Sequence, residues 1–212
     1  MIQSSVAKAL TVLLHPILMP VYAFLILLNL YATMAPIPMP TQLRLVALIT
    51  LITVVIPILL IVTSKQLRLV SSYKLESNGD RYYAFLITAA SQLFCWFLIR
   101  RIPYNIPYSI MMYVIVMQKF LFAAALSVIL NLLILYWWRI SSHAIGIGGL
   151  VAGLLMMGQY MMADIQVLFL IAIFAAGLVG FARLQLNAHN PLQVYGGYFL
   201  GFAVVSLVFF YF

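Results

Sequence analysis

The sequence predicts an all-α bundle of six or seven membrane-spanning helices. Two observations carry that class. First, 67% of the 212 residues are apolar and only 7% are charged, with mean hydropathy +1.17, against about 45–50% and about 25% in a soluble domain. Such a chain cannot cover its apolar surface with polar side chains, which excludes a soluble globular domain, a disordered chain and a disulfide-built secreted domain. Second, the apolar residues fall in runs near the roughly 20 residues that a helix needs to cross the hydrocarbon core. Charge adds a third constraint: 11 Lys and Arg against 3 Asp and Glu give a net charge of +8. The basic residues form no dense run, so they suggest contact with phosphate-bearing membrane lipid and not with nucleic acid. Cys95 is the only cysteine, leaving neither an internal disulfide nor a cysteine metal site.

In chain order the runs are Leu10 to Tyr31, Leu43 to Val62, Tyr83 to Ile99, a long one ending at Trp138, Ala144 to Met161, Ile165 to Phe181, and Val194 to Phe212. The first follows Lys8 as a signal peptide would. It contains Pro16 and Pro20, however, and ends without a small-x-small cleavage site, so it reads as a kinked or half-inserted membrane segment. From Pro107 the fourth run is too long for one crossing. Lys119 is expected at an interface, with the span proper from Phe120 to Trp138. Ser64 to Arg81 is the longest polar stretch. These boundaries give N-terminal membrane helices over residues 1–63 and a core over residues 64–212, within a single integral membrane domain. Gly149-x3-Gly153 and Gly197-x3-Gly201 place small residues where two helices can approach closely.

Loop charges do not orient the chain. Arg100, Arg101 and Lys119 share one loop, with Arg44 on that side if every run crosses. Lys65, Arg68, Lys74, Arg81, Arg139 and Arg183 lie on the other side. The second set therefore has a reason of its own to be basic. His15, His143 and His189 sit at the edges of apolar runs, and His15 reads as an interfacial residue. The other two each open a helix. Ser141 or Ser142 can cap the run after His143, and Asn190-Pro191 reads as an N-cap followed by proline at the first helical position. Two crossings separate these histidines, which puts both at helix N-termini on one side of the membrane. Backbone N–H groups and the positive ends of two helix dipoles favour an anion there.

Three spacings then match a family. Lys74 to Arg81 is Lys-x6-Arg, Ile140-Ser141-Ser142-His143 stands in the place of a Pro-Ser-Gly-His motif, and Arg183 to His189 is Arg-x5-His, with Gln193 four residues on. From about Lys65 onward the chain resembles the phosphatidic acid phosphatase type 2 superfamily of membrane lipid phosphatases, in a small bacterial variant. The resemblance implies an acid phosphatase/vanadium haloperoxidase-like core and a metal-independent hydrolase acting on a lipid phosphate mono- or diphosphate ester, with no cofactor. It implies that His189 attacks phosphorus to form a phosphohistidine. His143 would protonate the leaving group and later activate water. Lys74, Arg81, Ser141, Ser142 and Arg183 would hold the phosphoryl oxygens. Fixed cations and N–H donors suit a phosphoryl transition state, whose charge spreads over the equatorial oxygens. It also implies a bacterial inner-membrane location with the site on the extracytoplasmic side.

Tyr82, Ala182 and Gln193 stand where the family pattern has proline, serine and aspartate. Gln193 can orient the His189 imidazole through its amide oxygen but supplies no charge, and its other reading is a capping box with Asn190. Glu76 and Asp80 lie inside the first motif; they are the only carboxylates that could take over the role missing at Gln193, and are otherwise expected to moderate the basic pocket or pair with Lys74 and Arg81. Two other functions remain open at this level. One is a non-catalytic binder or transporter of lipid phosphates. The other is a haem protein ligated by His143 and His189.

Overall fold

The computed structural model describes residues 2–31, 37–72, 77–102, 108–162 and 164–212. Among them there is no strand. The helices are α1 (Ile2–Leu13), a 3-10 turn (Pro16–Leu18), α2 (Met19–Tyr31), α3 (Met39–Thr50), a π turn (Leu51–Val55), α4 (Ile56–Gln66), α5 (Asn78–Arg100), α6 (Tyr108–Ile134), α7 (Ser142–Met161), α8 (Gln166–Gln185) and α9 (Pro191–Tyr211). Among the described residues seven segments are long and apolar enough to cross a membrane, and each contains or overlaps one of the expected runs. The chain is a multi-pass membrane protein.

The chain divides into two compact units. One unit joins Met1–Met19 to Ile134–Phe212, and the other is Pro20–Leu133. In the first unit α1 packs along α8, and the 3-10 turn packs on α7. The break that makes this possible is local. His15 precedes a proline, which drives a residue out of the helical region, and its backbone is extended at φ −68°, ψ 135°.

The closest pairing in this unit is α7 against α9, and it is set by glycine. A Cβ at Gly201 would collide with the carbonyl of Ile145, and one at Gly197 would stand 2.6 Å from the carbonyl oxygen of Ser141. On α7 a Cβ at Gly148 would stand 2.6 Å from the carbonyl oxygen of Tyr198. Absent side chains thus let one backbone lie directly on the other. The Gly197-x3-Gly201 spacing is used as expected, and on α7 Gly148 meets Tyr198 while Gly149 faces Val205 and Gly201. Met156 and Met157 fill the core of this unit.

In the second unit the π turn packs against α3, α4 and α5. Pro57 at the start of α4 has no N–H to return to Thr53, so the ladder widens just before it. The α6 expectation needs correction. Pro107 lies outside the described residues, but Tyr108–Ile134 is one uninterrupted helix with Lys119 inside it. It stops before Trp137 and Trp138. No glycine or proline occurs between 108 and 134, so nothing ends the helix at Lys119. At about 1.5 Å per residue it is about 40 Å long, which a single crossing accommodates across core and headgroups.

The glycine contacts give a direct test. Gly201→Ala should lower the melting temperature in detergent, since overpacking costs roughly 1–3 kcal/mol of stability. Gly177→Ala, on an exposed stretch of α8 with nothing within 4 Å, should be neutral or stabilising by up to about 1 kcal/mol. Equal melting of the two variants would remove the close crossing from this account.

Candidate functional site

Four sequence-derived candidates, His143, Arg183, His189 and Gln193, come together at one end of the first unit, and the helix caps put them there. Ser141 is extended and fully buried. Its Oγ accepts the Ala144 N–H at 3.4 Å, which starts α7, and its own N–H donates to the Gln193 carbonyl at 3.0 Å. The start of α7 is therefore stitched to the first turn of α9. Ser142 and His143 follow on the first turn of α7, both half-buried.

The Arg-x5-His spacing is built from two consecutive caps. Asn187 adopts φ 49°, its N–H returns to the Leu184 carbonyl at 2.9 Å, and the Ala188 N–H returns to Arg183 at 3.1 Å. This is the left-handed closure that ends helices at glycine or asparagine, and it leaves Arg183 on the last turn of α8. Two residues later the Asn190 Oδ1 accepts the Gln193 N–H at 2.9 Å, and the Gln193 Oε1 accepts the Asn190 N–H at 3.1 Å. His189 is held between these closures.

Gln193 serves both of the roles that the sequence left open. Its Oε1 also lies 3.2 Å from the His189 Nδ1. An atom that accepts a backbone N–H must be the amide oxygen, so the orientation of the amide is fixed. An oxygen that only accepts then requires the proton on Nδ1. In the neutral ring this places the His189 lone pair on Nε2.

His143 is fixed by a different partner. Its Nε2 lies 3.2 Å from the carbonyl oxygen of Thr11, near the end of α1. A carbonyl accepts only, so Nε2 carries the proton and the neutral ring keeps its lone pair on Nδ1. Against this ring stands His15, with centroids 5.1 Å apart and planes at 82°. The His15 Nδ1 accepts the Ile17 N–H at 3.3 Å, which puts its own proton on Nε2. Arg183 lies within electrostatic range of both His15 and His143, and His189 within range of His143. The Arg183 Nε is buried, where a charge acts more strongly than in water. One guanidinium and three imidazoles of defined tautomer thus share one end of the unit.

The other candidates do not join this description. Lys74 and Glu76 lie outside the described residues. Arg81 is half-buried on the first turn of α5, in the second unit. Of the basic partners expected for Asp80, Lys74 lies outside the described residues, and the hydrogen bonds of the Asp80 carboxylate run to Ser71. Its carboxylate accepts the backbone N–H of Ser71 at 2.8 Å and the Ser71 hydroxyl. Ser77 caps the same helix by accepting the Asp80 N–H at 3.0 Å. Asp80 therefore ties the preceding loop to the start of α5. The expected N–H donors are also partly committed, since Ala144 and Gln193 donate to their own caps. For the haem reading, the His143 Nε2 is turned to Thr11 and not toward His189. Among the described residues no cluster of three or more His, Cys, Asp or Glu could hold a metal ion.

His15 was missed as a site residue because nothing local distinguishes it from an interfacial histidine. The available signal was the His15-Pro16 break inside an otherwise apolar run. Comparison of the chain with protein-family models, with curated proteins and with solved structures finds no match. The functional reading rests on the chemistry of these residues.

The tautomers are measurable. With ¹⁵N-labelled histidine, at a pH where the rings are neutral, His189 should report a proton on Nδ1, and His143 and His15 should report Nε2. Gln193→Leu should let His189 populate both tautomers while leaving His143 unchanged. A His189 signal that the substitution does not move would show that Gln193 does not hold the ring.

Proposed function

We propose that the protein is a metal-independent lipid phosphatase working through a phosphohistidine. The observation that carries this reading is the convergence of Arg183 and His189 on His143, with the Gln193 Oε1 on the His189 Nδ1. The proposed chemistry uses atoms already assigned. The His189 Nε2 attacks phosphorus in line, the bond from phosphorus to the leaving oxygen breaks, and that oxygen takes a proton from protonated His143. In the second half, water attacks the phosphohistidine, gives its proton to His143 and releases inorganic phosphate. Because the His143 Nε2 is turned to the Thr11 carbonyl, Nδ1 is the nitrogen through which the proton moves. Arg183 neutralises charge on the phosphoryl oxygens. Ser141 and Ser142 are proposed to add to that cradle as the family resemblance implies.

The substrate would be a lipid bearing a phosphate monoester or diphosphate, in a bacterial inner membrane, hydrolysed on the extracytoplasmic side. A second reading, a non-catalytic binder of lipid phosphates on the same fold, draws support from Gln193. An amide orients His189 but cannot stabilise an imidazolium as a carboxylate would, and loss of the carboxylate from a serine triad costs about 10⁴ in turnover.

A phosphate-release panel over lipid phosphates decides between them. Hydrolysis should survive EDTA, be inhibited by vanadate, and vanish in His189→Ala and His143→Ala, with only the first variant losing an acid-labile phosphoenzyme. Gln193→Glu should keep or raise turnover. Gln193→Leu should lower it by at least about tenfold, or roughly 1.4 kcal/mol of barrier. Saturable binding of a lipid phosphate without release from any member of the panel would favour the binder.

A further inference from the structure

We propose that His15 is a positioning residue for His143, and that the corner between Thr11 and Pro16, where the first apolar run breaks, is part of the site. Three contacts define this corner. The Thr11 carbonyl takes the His143 Nε2 proton at 3.2 Å, the His15 ring stands edge-to-face on the His143 ring at 5.1 Å, and Pro16 packs so closely on α7 that a Cβ at Gly146 would lie 3.0 Å from its Cβ. The Thr11 hydroxyl bonds back to the Ala7 carbonyl at 2.9 Å, holding the last full turn of α1. The hydrogen bond selects the tautomer of His143, and the ring contact limits its rotation.

The geometry has a mechanistic consequence. His143 sits on the first turn of α7, and the groups around it come from three places: His15 from the corner, Arg183 from α8, and His189 from the loop before α9. A histidine that must give and take a proton through one nitrogen needs that nitrogen held on the reacting oxygen, and a small misplacement is costly. The bland alternative is that His15 serves only as the N-cap of the 3-10 turn, through its 3.3 Å bond from the Ile17 N–H.

Two substitutions separate these roles. His15→Asn keeps an acceptor at the cap position and removes the ring. His15→Phe keeps a ring against His143 and removes the cap. If His15 positions His143, the asparagine variant should lose the single Nε2–H signature of His143, and the phenylalanine variant should keep it. The kinetic arm rests on the phosphatase reading. There, His15→Asn should lower kcat for an alkyl phosphate about tenfold with KM little changed, as expected for loss of an oriented acid. It should spare an aryl phosphate, whose leaving group needs no proton, and His15→Phe should restore most of the alkyl activity. An unchanged His143 signature in a folded His15→Asn protein would overturn the proposal, as would equal loss in both variants. If the wild-type protein hydrolyses nothing, the phosphatase reading fails by itself, and the nuclear signature still decides the role of His15.

Discussion

The close crossing of α7 and α9 is the constraint on which the candidate site depends. Gly197 and Gly201 lie where any side chain would strike the Ser141 or Ile145 carbonyl. At that separation the Ser141 N–H reaches the Gln193 carbonyl, so the starts of the two helices are fixed relative to each other by a main-chain bond. His143 is two residues beyond Ser141, and His189 is four before Gln193. Their proximity is therefore not a property of the loops that carry them. It follows from two glycines roughly two and three turns into the next helix. A larger residue at either would move both histidines apart before it disturbed either one locally.

A second constraint is the shortage of polar side chains in so apolar a chain. Helix ends leave backbone groups without intrahelical partners, and in an apolar environment each must be satisfied by the chain itself. The chain uses its few polar side chains twice. The Gln193 Oε1 caps α9 and holds His189. The His15 Nδ1 caps the 3-10 turn while its ring rests on His143. Thr11 lends its carbonyl to His143 and its hydroxyl to α1. In each case a residue that looks structural also sets the tautomer or orientation of a residue that looks chemical, which is why neither description alone is sufficient.

The seven spans, their order, the caps at Ser141 and Asn190 and the Gly197–Gly201 spacing were legible in the sequence because each depends on local composition or on helical periodicity. The α6 boundary was misplaced because Lys119 looks like an interface residue, yet one lysine does not end a helix that has no glycine or proline in it. For Asp80 the sequence offers only the basic residues of its own motif as partners, because charge suggests charge. A serine nine residues upstream supplies two hydrogen-bond donors, and their pairing depends on how the loop folds. Within the site, Gln193 could be placed against His189 from a four-residue spacing. His15 could not, since its partner lies 128 positions away and nothing in either neighbourhood encodes the pairing.

The distribution of carboxylates bears on what this end of the unit is suited to hold. Asp80 is bonded to Ser71 in the other unit. Asp164 accepts the Gln166 N–H at 3.0 Å, at the beginning of α8, while Arg183 lies near its end, so about 25 Å of helix separates them. Glu76 lies outside the described residues. Among the described residues of the first unit, then, no carboxylate stands with Arg183 and the three histidines. Bringing a guanidinium and several imidazoles together at low dielectric raises the cost of charging any of them, and an arriving oxyanion relieves that cost. A doubly charged phosphate gains more from this arrangement than a singly charged carboxylate of the same reach. That difference in charge is the physical ground for reading the cluster as a phosphate site and not as a general polar patch in a membrane bundle.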